Sequence, residues 1–563
     1  VYVLGLSGGY GHDPAAALVR DSEVLAAVEE ERFTRRKHAF GQVPVHAAAY
    51  CLAAAGITMS DVDAIALAWQ PEHPPPWPTR LHEDLLAHPF FAGARRPPIE
   101  VVPHPVAHAT AALRYCGFDE AAVLIVDGQG DGISTTLAHG TSGGIDVLDQ
   151  YEIEDSLGFF YWALTTYLGW DWGEEGKVMG LAPYGLRNGA PAAFDLRPDG
   201  YDTRITVEPS DGHWRRGRAT FAAWRHLLED QFGPAVDVRF SIDPLTQRPR
   251  RSIAPSDRER AVAAWGQQQL ESVMCHLARV VVQQTGCRTL VVGGGSAYNC
   301  SVNGLLRGLP EVDDVFVFPA SGDAGTSLGA ALTVAGAHAG PPGSPPLDHA
   351  AFGPGFDDDD IATLLRDSGV PAHRSPDVAA EAAELLAAGR VIGWFQGRTE
   401  LGPRALGNRS ILATPSSRDV RDRVNAIKGR EAWRPLAPSL LVESARTYLA
   451  DPRPAPFMLT ATTVREEVRD LVPGIVHVDG SCRPQTVERS AGTRYADLLA
   501  RLDELSGIPV VLNTSFNIGD EPIVLSPRDA VRSFAVSGLD ALVIGDSVVV
   551  KEPRRIPAAD ADR

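Results

Sequence analysis

Strand-length apolar runs alternate with helix-period stretches from the first residues of the chain. Residues 1–6 and 23–29 predict a hairpin around a polar turn, and residues 43–55 carry helical spacing. The run AAVLIVD over 121–127 predicts a buried strand that ends on an acid and is followed by glycines. A long helical pattern over 260–285 leads into a strand over 289–292 and then Gly293, Gly294 and Gly295. A proline- and glycine-rich stretch, 336–355, interrupts the alternation. A helix over 378–388 and a strand over 391–395 then resume it, and the pattern runs to about Val550. This is α/β architecture in two domains, 1–340 and 350–550, joined by that linker. Residues 186–260 are polar and weakly periodic, an insertion of unassigned role, and the last seven residues are expected to fray.

Length agrees with this division: 563 residues exceed the roughly 250–300 at which one core stops growing. Charge narrows the partners. A net −19 excludes a broad nucleic-acid or anionic-membrane surface, both of which require positive charge. Cys51, Cys116, Cys275, Cys287, Cys300 and Cys482 form no C-x-x-C pair, so neither a disulfide framework nor a zinc-thiolate site is expected. The chain opens as a strand rather than a signal segment, and no apolar run nears the ~20 residues that span a bilayer. A soluble cytoplasmic protein is expected.

Three glycine-rich elements stand at strand ends: GLSGGYGHD (5–13), DGQGDG (127–132) and GGGSAYN (293–299). Glycines let backbone N–H groups approach phosphates. Together with GDAG (322–325) they fit an actin-like fold that clasps ATP. In HPVAH, Pro105 can open a helix, placing His104 and His108 one turn apart on one face. Two incidental histidines are the bland alternative; Asp127 at a strand end and Asp323 in a glycine loop favour a metal. Two imidazoles and two carboxylates suit Fe(II), Zn(II) or Mn(II). His12, in the first glycine loop, is a candidate general base. The mixed-charge run over 29–38 reads as solvated surface from which Lys37 could reach a phosphate. Residues 176–185 read as a rigid loop bordering the cleft.

Charge reverses sign further on. Residues 398–434 hold nine basic side chains against four acids, in a chain that is strongly acidic overall. Arginine forks pair bidentately with phosphate. Arg418, Arg421 and Arg423 lie on a predicted helix and suit a solvated face. The others, with Arg483 and the NTSFN run 513–517 after a buried strand, predict a compact anion site.

At these residues the chain resembles the O-carbamoyltransferases of antibiotic and nodulation-factor biosynthesis. HDPAAAL, EEERFTRRKH, HPVAHA, EGKVMGLAPYG, GGGSAYN, GRTELGPRALGNRS, KGREAWRPLAPS, RPQTV and LNTSFN carry the resemblance in order along almost the whole chain. It implies an actin-like first domain, similar to the enzyme that transfers threonylcarbamoyl to tRNA, and a YrdC-like second domain that forms carbamoyladenylate. It further implies metal ligands at His104, His108, Asp127 and Asp323, generally iron or zinc, and a proton acceptor at His12. Nucleotide contacts are implied at Lys37, Asp127, Gly295 and Asn299. The carbamoyl phosphate and adenylate pocket would draw on Arg404, Lys428, Arg430, Arg434, Arg483, Asn513 and Ser515. The expected activity is carbamoylation of a natural-product hydroxyl with carbamoyl phosphate and ATP, Mg(II) accompanying the nucleotide. Pro14, where relatives often carry serine, is a small departure. Rival readings are a tRNA-threonylcarbamoyl enzyme, an actin-like small-molecule kinase that releases ADP, and a nucleotide-gated scaffold.

Overall fold

The computed structural model describes residues 1–8, 11–68, 77–91, 93–186, 189–237, 240–242, 249–251, 255–339 and 345–551. Its first part contains one sheet design built twice. Strands β1 (Tyr2–Ser7), β2 (Ala15–Arg20) and β3 (Glu23–Glu29) form an antiparallel meander, and β4 (Ala64–Leu67) and β5 (Ile99–Val101) extend it in parallel on the β1 side. Strands β6 (Glu120–Gly130), β7 (Ile133–Thr141) and β8 (Gly144–Glu152) repeat the meander. Strands β9 (Thr289–Gly293) and β10 (Asp314–Val317) repeat the parallel extension on the β6 side. The expected hairpin of the first two strand runs is therefore corrected: β2, an alanine-rich run with little periodic signal, lies between β1 and β3 and pairs with both.

Two helices cross between the sheets. Helix α1 (His104–Leu113) follows β5 and contacts β6 and β9 of the second sheet. Helix α2 (Asp323–Ala339) follows β10 and contacts β1, β2 and β4 of the first. The two helices also contact each other. Small residues permit this: a Cβ at Gly329 would stand 1.8 Å from the Ala107 carbonyl oxygen. Alanine-rich faces of both helices fill the resulting core with Val3, Val123, Ile125 and Leu328.

The unplaced region 186–260 contains a two-stranded ribbon (Phe194–Arg197 with Gly200–Thr203) and a helix, His213–Phe232, packed on the helix Leu157–Tyr167. Trp224 and Leu228 are fully buried there, so this insertion enlarges the core.

The carboxy-terminal part is built on an eight-stranded sheet and also holds a two-stranded ribbon, Thr462–Thr463 with Ser481–Cys482. The strands of the sheet are β11 (His373–Arg374), β12 (Ile392–Phe395), β13 (Arg409–Ala413), β14 (Ala437–Leu441), β15 (Gln485–Val487), β16 (Val510–Ser515), β17 (Ala541–Ile544) and β18 (Ser547–Val550). Their order is β11-β18-β17-β12-β13-β16-β14-β15. The fold is mixed α/β throughout.

Part of the stretch 336–355 read as a linker is packed structure. Helix α2 continues to Ala339; residues 340–344 and the terminal seven lie outside the described residues. Residues beyond 344 are docked: Phe352 is buried and its carbonyl accepts from Arg398. The supposed surface run 29–38 is likewise an internal tie. Arg32 is 2% exposed and donates to Glu29 Oε1 (3.1 Å) and the Gly402 carbonyl (2.8 Å). Gly402 N returns a bond to Glu29 Oε1 at 2.7 Å. Arg35 donates to the carbonyls of Pro522 and Ile523, each at 2.6 Å. Within this buried pair Glu29 Oε2 and Arg32 Nε have no hydrogen-bond partner among the described residues.

Candidate active site

The duplicated design brings four loops together. The β1–β2 loop carries His12 and Asp13, the end of β6 carries Asp127, and the first turns of α1 and α2 carry His104, His108 and Asp323. Pro105 sits in the first turn of α1, where its missing N–H costs nothing. His104 and His108 point the same way, their Nε2 atoms 2.9 Å apart. Asp127 Oδ2 lies 3.4 Å from His104 Nε2 and 3.7 Å from His108 Nε2. Asp323 Oδ1 lies 3.6 Å and 3.7 Å from the same atoms. The four side chains place one ligand atom each within 4.8 Å of all the others.

The surroundings hold these atoms in place. His104 Nδ1 lies 3.1 Å from the Ala68 carbonyl oxygen, which fixes its proton there and turns the Nε2 lone pair inward. The Gly295 N–H donates to Asp127 Oδ1 at 2.9 Å. The His104 ring packs where a side chain at position 130 would be: a Cβ on Gly130 would stand 2.0 Å from it. Burial and the Asp323 charge push the Asp127 carboxyl up, and the two imidazoles outweigh them and hold it well below the carboxylate range. Burial opposes charge on His104, yet Asp127 and Asp323 hold its imidazole well above its ordinary value. The donor set, inward lone pairs and paired carboxylates fit a divalent transition metal.

His12 stands at the edge of this cluster, with Nδ1 3.2 Å from Asp13 Oδ2 and 3.7 Å from Asp323 Oδ2. Burial acts to lower its pKa, but Asp323 and Asp13 raise it to about 9. Asp13 adopts a positive φ of 51° and also accepts His38 Nδ1 at 2.8 Å.

The second cluster is cationic. Arg430 and Arg434 lie on the turn after the helix Arg418–Ile427, Arg404 on the loop before β13, and Arg483 beside β15. Burial, then Arg483, push the Arg404 guanidinium down to about 9. Burial, then Arg434, Arg483 and Arg404, hold Arg430 well below its ordinary value. Nε of Arg404 and of Arg483 are buried without hydrogen-bond partners among the described residues. Lys37 is exposed, within electrostatic reach of Lys428. The Arg404 guanidinium lies 6.0 Å from the centre of the Tyr298 ring. Tyr298 ends the turn Gly295–Tyr298 whose first residue holds Asp127, so one short turn joins the two clusters.

Several of the expected contact residues are also tied into the framework. Lys428, 1% exposed, directs Nζ at Ser515 O and Oγ and at Asn517 O and Oδ1, four acceptors for three protons. Ser515 Oγ also donates to Asn517 Oδ1 at 2.6 Å. Asn513 Nδ2 lies within 3.3 Å of Ala405 O, Ser439 Oγ, Gln485 Oε1 and Tyr495 OH, tying strands together. Asn299 caps the helix Cys300–Arg307 by accepting from Val302 N and pairs its amide with Gln267. Arg409 is fully buried against Phe395 and donates to the Gln396 carbonyl. Arg398 donates to the carbonyls of Gly353 and Phe352, and Arg421 and Arg423 pair with Asp422 and Asp540. Sequence reasoning missed Glu400, whose buried Oε1 accepts from the N–H groups of Leu406, Asn408 and Arg409 and shapes the Arg404 loop. Its position inside an arginine-rich run was the available signal. The expected loop over 176–185 is instead the helix Glu175–Leu181 followed by the helical turn Ala182–Tyr184, and it borders the second cluster: Lys177 Nζ lies 3.4 Å from Glu431, and Tyr184 OH donates to Trp433 O.

Among the described residues no helix is long and apolar enough to cross a membrane. The model of the carbamoyltransferase amino-terminal part matches residues 2–74 and 88–332, and that of the carboxy-terminal part matches 383–551. Nodulation protein NolNO of Sinorhizobium fredii is 38% identical over 97% of this chain and 82% of its own length. Nodulation protein NolO of Bradyrhizobium diazoefficiens is 38% identical over 80% and 79%. An uncharacterized Synechocystis protein is 34% identical over 98% of both. Among solved structures, (R)-2-hydroxyglutaryl-CoA dehydratase component A of Acidaminococcus fermentans aligns with 59% of this chain and 97% of its own at 12% identity and a TM-score of 0.31. With both parts matched in order along one chain, this protein belongs to the carbamoyltransferase family and is a carbamoyltransferase, an enzyme with a carbamoyl donor and an acceptor substrate.

Proposed function

We propose that this carbamoyltransferase is ATP-dependent, takes its carbamoyl group from carbamoyl phosphate and delivers it to a hydroxyl of a small natural product through carbamoyladenylate. The observation that carries this reading is the second cluster: four guanidinium groups crowded at partial burial, which hold Arg404 and Arg430 below their ordinary values, with two Nε atoms lacking hydrogen-bond partners among the described residues. Like charges are crowded in this way where an anion is to be bound, and a substrate with several phosphates answers that demand. The repeated sheet design of residues 1–339 supports an actin-like ATPase fold there, and we read the eight-stranded sheet as the YrdC-like, adenylate-forming part.

In this mechanism Arg404, Arg430, Arg434 and Arg483 neutralise the phosphates, with Lys37 reaching in from the first part. Carbamoyl phosphate and water yield carbamate and phosphate. A carbamate oxygen attacks the α-phosphorus of ATP, and pyrophosphate leaves. Lys428, Ser515, Asn513 and Glu400 keep the walls of this pocket rigid. The intermediate passes along the Gly295–Tyr298 turn to the His/Asp cluster. There His104, His108, Asp127 and Asp323 would hold one divalent metal, iron first and zinc or manganese as alternatives. Such an ion supplies Lewis acidity toward the carbamoyl or phosphate oxygen. His12 takes the proton of the acceptor hydroxyl as its oxygen attacks the carbamoyl carbon, and AMP leaves. A cation on Asp323 and Asp127 would offset the charges that raise His12, bringing it toward the range of a general base. The test is product analysis by chromatography: AMP and pyrophosphate are expected, and ADP would overturn the mechanism in favour of a kinase.

A further inference from the structure

A further group of metal-type side chains gathers at the far end of the second sheet, where the chemistry above takes no part. Glu120 opens β6, His139 stands near the end of β7, and Cys287 precedes β9 on the turn from the helix Asp257–Thr285. One ligand atom from each lies within 4.8 Å of the other two. Along β6, Glu120 is about 23 Å from Asp127 at ~3.3 Å per residue, so this group is separate from the His104 cluster.

The distances suit ligands of one ion. His139 Nε2 lies 3.4 Å from Glu120 Oε2 and 3.5 Å from Cys287 Sγ. Around a tetrahedral zinc, with bonds of about 2.0–2.2 Å to nitrogen and oxygen and about 2.3 Å to sulfur, such atom pairs stand about 3.4 and 3.6 Å apart. An N–H···O bond to the carboxylate would be shorter, about 2.7–3.2 Å. Both partners also converge on one nitrogen. A nucleophilic Cys–His–acid triad sets its two partners on the two opposite nitrogens of the imidazole, whereas a chelate turns its lone pairs to one point.

The backbone fixes where the three residues start. The helix Asp257–Thr285 closes on Gly286 at φ 74°, and the Cys287 N–H donates to Thr285 Oγ1 at 3.1 Å. Cys287 is buried on that turn. Thr289 Oγ1 donates to the Glu120 carbonyl at 2.9 Å, clamping β9 to the start of β6. His139 pairs in register with Ala122 of β6, and Ala122 with Leu290 of β9. On its other side His139 stands across from Asp146 of β8, which adds negative charge. Arg288, the cation next in sequence, donates to Asp313 at 2.7 Å, and its charge is taken up there.

We propose that Glu120, His139 and Cys287 form a zinc site, with water in the fourth position, that pins the exit of the helix Asp257–Thr285 to β6 and β7. One sulfur, one imidazole nitrogen and one carboxylate oxygen suit zinc and are too soft a set for magnesium or calcium. Burial, then the Glu120 charge, raise the Cys287 thiol above its ordinary value. Zinc binds the thiolate, and the thiol proton passes to solvent. Scattered cysteines exclude a paired-cysteine site; this one needs a single cysteine, because its other ligands arrive from strands far apart in sequence.

The test is titration of the full chain with cobalt(II) alone, under reducing, metal-free conditions. A thiolate-to-cobalt charge-transfer band is expected. It reports this site, because among the described residues no other metal-type cluster contains a cysteine. The band should persist when His104 and His108 are both replaced by alanine, and vanish in Cys287→Ala. His139→Ala and Glu120→Gln should each need at least about tenfold more cobalt. Both residues are at least partly exposed, so these variants decide the question should Cys287→Ala fail to fold. Zinc should bleach the band and raise the melting temperature of the His104/His108 double variant, but not of that variant carrying Cys287→Ala. Absence of the band in the unaltered chain, its survival in Cys287→Ala, or unchanged cobalt affinity in both His139→Ala and Glu120→Gln would overturn the site. A melting temperature that zinc leaves unmoved would overturn the pinning role.

Discussion

The two charged clusters of this enzyme are built on opposite principles. Around His104 the attraction between opposite charges wins: imidazoles and carboxylates stand 3.4–3.7 Å apart and shift each other toward the ionised state, outweighing the repulsion between the two carboxylates and between the two imidazoles. Around Arg430 like charges face each other and shift each other toward the neutral state. Glu431, 3.9 Å from Arg434, shares its charge with Lys177 at 3.4 Å. A balanced set of lone pairs suits a single cation, whereas an unbalanced set of donors suits a polyanion. Placing them at the two ends of one turn lets a chain with net charge −19 handle phosphates locally without becoming basic overall.

That contrast breaks most visibly at the metal ligands. Replacing His104 and His108 together by alanine should strip the metal and abolish acceptor carbamoylation while pyrophosphate release persists. Full metal content by elemental analysis in the double variant would refute the ligand set. His12→Ala should cost about 10²–10⁴-fold in the transfer step alone. ATP–pyrophosphate exchange with carbamoyl phosphate should survive it; loss of exchange would mean that the two clusters act as one site. Arg483→Ala should do the reverse, lowering exchange itself by roughly 30- to 5,000-fold at saturating carbamoyl phosphate. The smallest effect sharpens the framework assignments. Asn299→Ala should remove a helix cap, lowering stability by about 1 kcal/mol, read as a lower melting temperature. A selective rise in KM for ATP with unchanged stability would assign Asn299 to the nucleotide site instead.

Local signals were legible before the fold was. A proline one residue into a helix, histidines four apart and acids at strand ends located the His104 cluster, because each is a statement about its own neighbours in sequence. The arginine pocket was legible only as a class. Arg404, Arg430, Arg434 and Arg483 lie together, whereas Arg398 and Arg409 carry the same charge and are held by backbone carbonyls. Which basic residue is spent on the fold depends on burial, and burial depends on partners far along the chain. Arg32 shows this at its extreme: its partner Gly402 lies 370 residues away, so charge density alone placed it in solvent. Strand β2 was missed because alanines carry almost no hydrophobic alternation, and its identity is set by pairing with β1 and β3.

The exchange of α1 and α2 between the two sheets has a consequence for how the protein is made. The β1, β2 and β4 surface that α2 covers is encoded in the first 67 residues, but α2 itself spans Asp323–Ala339. At about 5–20 residues per second, synthesis leaves that surface without its own lid for roughly 15–60 s. Nascent chains ending before α2 should therefore bind holdase chaperones, and releasing α2 from the ribosome should be the moment at which they let go.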